Sequence, residues 1–301
     1  MFKLLSKESN IFSIPVYLGL LFLMIIGFNA FNINTLNIVS SIFTFAGVAL
    51  GYFLFNKINL NSHTHIPLFL YTFLVFSLYS GSLDIGIAIS LFINSFILLI
   101  LTSSNEVLRK SSYMLIGCIL ALNFVVLPTS WPLIVFVLVH IFATSDRIPL
   151  NLFRLFFGMF LIGFSYFCLA FYFNLNSWDS AYFPFGDFKM SKDFYPLLFL
   201  IPFGLVVLYG VAQHFQHYNE KSPTSKFRYT FVLTFSLAQL VSILLYMGQD
   251  YDYLMLLAFP FTIIASRAIF YLPKYWLKEL LLWLVVFSLI LYKIAGYVEI
   301  F

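Results

Sequence analysis

The stretch VLPTSWPL, Val126 to Leu133, separates two apolar runs at 111–126 and 131–145. Whether those runs form two helices or one decides the threading of everything after them. Proline inside a helix removes a backbone donor and pushes against the carbonyl four residues earlier. Pro128 and Pro132 flank Trp131, with Thr129 and Ser130 between them, and that composition reads as a turn. The two runs are therefore expected to be separate helices. Both are short, since about 15 residues at 1.5 Å rise cover only about 22 Å. Together with 67–82 they are expected to sit sheltered inside a bundle, or to tilt back as re-entrant hairpins.

Working outward, the 301 residues are 62% hydrophobic, 21% aromatic and 9% charged. Soluble domains carry about 25% charged residues, so this chain cannot cover a water-facing globule and the bilayer has to be its main solvent. The first apolar run, Phe12 to Phe31, is too long for a signal-peptide core and has no small-residue cleavage site after it. It reads as a retained first span. The preceding MFKLLSKES mixes Phe2, Leu4 and Leu5 with Lys3 and Lys7, as a segment in the headgroup layer does. Spans are expected at 12–31, 37–58, 67–82, 84–103, 111–126, 131–145, 154–173, 195–215, 228–248, 253–272 and 276–298. The prediction is an all-α, polytopic transmembrane helical bundle of about eleven spans, a single integral membrane domain over 1–301.

Charge tests that threading. With the amino terminus inside, 13 of the 16 Lys and Arg fall on inner connections, and only Lys189, Lys192 and Lys293 fall outside. Five acids fall inside and seven outside, so the inner face nets 13 − 5 = +8 and the outer face 3 − 7 = −4. This is the positive-inside pattern. A single kinked helix over 111–145 would flip every later loop and abolish it. The expectation is a multi-pass protein of the bacterial cytoplasmic (inner) membrane, with its N-terminus in and C-terminus out. Tyr246, Tyr251, Trp276 and Tyr292 sit near span ends, as an interfacial belt requires.

The outer side holds the residues that could carry chemistry. The longest outer loop, NLNSWDSAYFPFGDFKMSKDF from Asn174 to Phe194, contains Asp179, Asp187 and Asp193 among aromatics. A connection this long either folds over the bundle as a lid or rests on lipid heads. Asp84 and the acids of YMGQDYDYLMLLAFP, Asp250 and Asp252, fall on the same side. Carboxylates from separate segments are the groups that would gather round one cation or one sugar, or act as bases. Asp252 is equally placed as an N-cap of the tenth span, anchored by Tyr253. His63 with His65, and His214 with His217, have spacings found in metal sites but no cysteine companions, so the metal and cofactor stay unknown. His140, Cys118 and Cys168 read as packing residues. Asn94, Asn123 and Gln239 interrupt otherwise apolar spans and can join helices by hydrogen bonds, while Gly47 and Gly51 in GVALG are spaced for a close helix contact. Nucleotide-loop, serine-elbow and zinc-protease motifs are absent, and the short basic loops do not suit nucleic acid.

From Ser111 onward, LPTSWPLIVFVLVHIF and DYLMLLAFPFTIIASRAIF resemble the rhythm of multi-spanning C-type-fold glycosyltransferases. That resemblance implies a polyprenyl-phosphate-sugar substrate. Two positions depart from that family's pattern: the first outer loop, near NINTL, has no acid, and the outer side is acidic where lipid phosphate would need cations. The whole 301-residue chain also looks like an uncharacterised bacterial family of polytopic proteins of this length. Three classes stay open. One is a non-catalytic membrane subunit or scaffold with an outward-facing specific surface. The second is a glycosyltransferase-like protein acting on lipid-linked sugars, and the third a transporter or lipid-handling protein. The partners expected are membrane lipids, with a membrane-protein partner or a polyprenyl-linked substrate.

Overall fold

A computed structural model describes residues 1–9, 12–29, 34–58, 64–81, 83–103, 112–144, 147–175, 182–186, 188–189 and 194–298. Among the described residues every regular element is helical, and the β-pairing is limited to a bridge between Glu8 and Thr64. In chain order the helices are α1 (Phe2–Leu5), α2 (Ser13–Asn29), α3 (Thr35–Ile58), α4 (His65–Leu78), α5 (Ile85–Leu101), α6 (Tyr113–Val126) and α7 (Pro132–Thr144). They continue with α8 (Ile148–Tyr172), α9 (Tyr195–Leu198), α10 (Ile201–Gln216), α11 (Pro223–Tyr246), α12 (Ala258–Phe270) and α13 (Tyr275–Val298).

Five helical segments are long and apolar enough to cross a membrane: Thr35–Phe55, Ile148–Tyr172, Pro223–Tyr246, Tyr251–Phe270 and Tyr275–Gly296. Five others, Ser13–Asn29, His65–Leu78, Ile85–Leu101, Tyr113–Val126 and Pro128–Thr144, are apolar but shorter. The predicted turn at VLPTSWPL is present. Helix α6 stops at Val126, a 3-10 turn spans Pro128–Ser130, and α7 begins at Pro132. Elsewhere proline shifts the expected boundaries. The stretch 195–215 is two helices, because Pro202 opposes the carbonyl of residue 198, where α9 ends. Helix α8 starts six residues earlier than predicted, with Pro149 in its first turn, where a missing N–H costs nothing.

Packing sorts the helices into centre and periphery. The Tyr251–Phe270 segment is 89% buried inside the protein and Ile148–Tyr172 only 17%. The outlying helix α8 is nonetheless held tightly against α6. A Cβ on Gly117 would run into the Leu155 carbonyl, and one on Gly158 into the Met114 carbonyl. Cys118 supports that crossing, its Sγ donating to the Gly158 carbonyl at 3.4 Å. The pair in GVALG also makes close contacts, Gly47 against the backbone of α5 at Leu91 and Phe92, and Gly51 against the ring of Tyr71. Helices α3 and α5 run side by side, with Ser40 Oγ donating to the Leu83 carbonyl at 2.6 Å and Ser95 Oγ to the Gly47 carbonyl at 3.1 Å.

Contacts between connections define two ends. At one, Ser80 meets Asp252, Thr129 meets Tyr253, Trp131 meets Tyr246, and the backbone of Lys189 pairs with Leu245 and Gly248. At the other, the amino group of Met1 meets Glu279 at 2.8 Å, Arg228 meets the Ile58 carbonyl at 2.9 Å, and Lys221 meets His214 at 3.1 Å. We call these the carboxylate end and the amino-terminal end.

Candidate functional site

Two connections bring three acids together at the carboxylate end. Asp84 is the N-cap of α5, its carboxylate accepting from the Gly86 N–H at 2.7 Å. Gly248 turns the chain after α11 with φ of +55°, a conformation glycine takes without steric cost, and its N–H donates to the Lys189 carbonyl at 2.8 Å. Asp250 follows as the N-cap of a 3-10 helix, Tyr251–Leu257, and accepts from the Asp252 N–H at 3.3 Å. The expected cap at Asp252 is thus supplied by Asp250, because the element starts as a 3-10 turn two residues earlier than predicted. Asp252 is released for tertiary contact: it accepts from Ser80 Oγ at 2.9 Å, and the Asp84 backbone N–H donates toward its carboxylate.

The three side chains share one field. Asp84 and Asp250 are exposed and Asp252 is half-buried. Although the residue as a whole is exposed, partial loss of water around its carboxyl raises the Asp250 pKa above the ordinary value, and the negative charge of Asp84 adds to the effect. The N–H of Asp252 and the Lys189 ammonium pull it the other way. On the far side of Asp252, Lys293 donates to the Tyr79 carbonyl and lies 4.5 Å from the ring centre of Phe28. Ser80, Tyr251, Asp252, Tyr292 and Lys293 line a cavity of about 160 Å³. It offers a carboxylate, an ammonium and phenol hydroxyls within one small volume.

A second cavity, of about 420 Å³, is apolar. Val125 of α6, Ile134 of α7 and Met159 and Phe167 of α8 line it, together with Tyr182 and Phe185 from the long loop. Tyr182 is tied to α8 by a 2.8 Å hydrogen bond between its hydroxyl and that of Tyr166. Phe185 packs on Trp131 at 5.5 Å between ring centres, and Phe188 on Tyr246 at 5.9 Å. The described part of the long loop therefore folds over the bundle, against the turn VLPTSWPL and the end of α11.

A model of a family of unknown function, DUF6427, matches residues 1–301. The chain belongs to DUF6427. No curated protein and no solved structure matches it. Of the acids singled out in this DUF6427 sequence, Asp84, Asp250 and Asp252 come together, while Asp179, Asp187 and Asp193 lie outside the described residues. Among the described residues no group of three or more His, Cys, Asp and Glu is placed to hold a metal ion. His63 lies outside them. His217 pairs with Glu220 at 3.0 Å, and His214 is buried beside Lys221. His140 packs on Phe231 at 5.1 Å, as a packing residue should. Ser80 and Lys293 were not foreseen as site residues. The available signal was Lys293 itself, one of three cations on a side rich in acids.

Proposed function

We propose that this DUF6427 protein is a multi-pass protein of the bacterial inner membrane and a non-catalytic subunit whose outer end recognises a cationic group of a partner. In this reading it crosses about eleven times, with the amino terminus inside and the carboxyl terminus outside. The grouping of connections supports the threading. Parts of the connections near 80, 129, 189 and 250, all assigned outward from charge, meet one another at the carboxylate end. Met1, Arg228, Lys221 and Arg267, assigned inward, lie at the opposite one.

One observation carries the function: Asp84, Asp250 and Asp252, from two distant parts of the chain, converge on one solvent-facing surface. Three carboxylates held this close repel one another, and an approaching ammonium or guanidinium relieves that repulsion. Two measurements test the reading. A cysteine at Gln249 should react with an impermeant maleimide in intact spheroplasts, and one at Lys274 only after lysis. The reverse labelling ends the topology. For function, D84N/D250N keeps both caps, since Asn also caps helices, and removes two charges. Wild type should co-purify with a membrane partner and the double variant should lose it. A wild type that is always alone, or a double variant that keeps its partner, ends the subunit reading.

The apolar cavity favours a second reading, a protein that handles a lipid or lipid-linked sugar in the manner the glycosyltransferase resemblance implies. A tail would lie under Tyr182 and Phe185, with its head toward the acids. Substituting Gly163 by Phe would fill the cavity and should remove bound lipid from the purified protein. Undiminished lipid in that variant rejects this second reading.

A further inference from the structure

At the amino-terminal end, three nitrogen-bearing side chains surround one tyrosine. The ring of Tyr229 lies 4.3 Å from the His214 ring centre, 4.6 Å from Arg267 Cζ and 5.6 Å from Lys221 Nζ. His214 comes from the end of α10, Lys221 from the connection that follows, Tyr229 from α11 and Arg267 from α12. The cluster is built in: Lys221 Nζ lies 3.1 Å from His214 Nδ1, and Thr230 Oγ1 lies 3.5 Å from His214 Nε2. Arg267 is only 4% exposed, and its Nη1 is buried without a hydrogen-bond partner among the described residues.

A buried guanidinium is normally matched to an anion, because its five donors lose water on burial. No carboxylate plays that part among the described residues. Glu220, next in the chain to Lys221, is paired with His217. Tyr229 and Tyr271 give Arg267 only ring faces, with Tyr271 at 5.4 Å. The crowding also shows at Lys221, whose pKa falls to about 8 through burial and the repulsion of Arg267, against a smaller opposing pull from Glu220. Beside the cluster, Tyr218, Lys226 and Thr230 edge a groove of about 450 Å³ with an apolar floor at Phe136 and Phe231.

We propose that Lys221 and Arg267, with His214 and Tyr229 as walls, form a binding site for a phosphate group. Lys221 is partly exposed, within reach of a ligand from outside, and Arg267 is buried. Phosphate suits the site because its several oxygens can accept from the Arg267 fork and the ammonium at once. The phosphate can belong to an anionic lipid whose tail lies in the neighbouring groove, or to a soluble anion, and the two are separable.

The full-length protein in phosphatidylcholine nanodiscs is titrated with inorganic phosphate at ionic strength matched with chloride, and compared with discs containing phosphatidylglycerol. The readouts are the thermal midpoint and the lipid retained in native mass spectrometry. A rise with inorganic phosphate assigns a soluble anion; a rise only with phosphatidylglycerol, with that lipid retained, assigns a headgroup. In either case K221Q should weaken binding about tenfold, and R267K, which keeps the charge but loses the fork, should weaken it as well. K3Q removes an exposed charge from the same end and should leave binding unchanged. No stabilisation of wild type by either probe, an R267K protein that binds like wild type, or a K3Q loss equal to that of K221Q, overturns the site.

Discussion

The two ends of the bundle hold their charges in opposite ways. At the carboxylate end the acids accept from donors: Asp84 and Asp250 from backbone N–H groups where helical elements begin, Asp252 from Ser80. At the amino-terminal end the cations turn to carbonyls where helices stop. Lys221 donates to the His214 carbonyl at the end of α10 and Arg228 to the Ile58 carbonyl at the end of α3. They also lie on rings, Lys226 on Tyr218 at 4.9 Å and Lys278 on Phe2 at 5.4 Å. Helix starts and stops leave unpaired donors and acceptors respectively, and each charge type settles on the complement. An acid such as Asp84 can be held in place by the backbone alone, whereas Arg267 is held by rings that leave a donor unmet among the described residues.

Substitution at Asp252 should have the largest effect on the carboxylate end. Asp252→Ala strips Ser80 and the Asp84 N–H of their shared acceptor, and should cost about 2 kcal/mol in reversible unfolding in detergent. No measurable loss would mean that the acids are surface ornaments on an end held by packing. Asp84→Ala should cost about 1 kcal/mol through the lost cap, and Asp84→Asn only a fraction of that. Equal losses for the two would show that the charge, and not the acceptor, matters there.

The finest test is pH. The Asp250 carboxyl has a raised pKa in the folded protein, so the folded state holds this proton more tightly than the unfolded chain does. Its stabilising contribution is therefore present below the ordinary carboxylate value of 3.8 and is lost as pH rises through the raised value. Asp250→Asn keeps the cap without titrating. Its thermal midpoint should exceed that of wild type at neutral pH and converge on it in acid. A variant that is less stable at neutral pH would mean that Lys189 dominates the local field.

Much of this arrangement was legible in the chain. Pro128 and Pro132 marked the break between α6 and α7, and the low charge and long apolar runs marked an all-helical chain with helices long enough to cross a membrane. Hydropathy and charge act along the membrane normal, so they place a residue at an end but not beside a neighbour. Ser80 and Asp252 are 172 positions apart, and only the lateral packing of α4 against the Tyr251–Leu257 turn brings them together. The cap was assigned to the wrong aspartate for a local reason: apolar periodicity does not reveal that a helix opens with a 3-10 turn. Arg267 was counted as one more inner cation because its burial depends on Tyr229, which arrives from α11.

The reciprocal glycine crossing has a mechanical consequence. Gly117 and Gly158 leave α6 and α8 in backbone contact, with no side chain between them to rearrange. Both helices wall the apolar cavity, so its width on that side is fixed. A guest bulkier than the space provided has to lift the Tyr182–Phe185 segment or push α7 aside. The side of the cavity that can yield is therefore held by the Tyr166–Tyr182 hydrogen bond and the Trp131–Phe185 stack, and the stiff side is the α6–α8 pair.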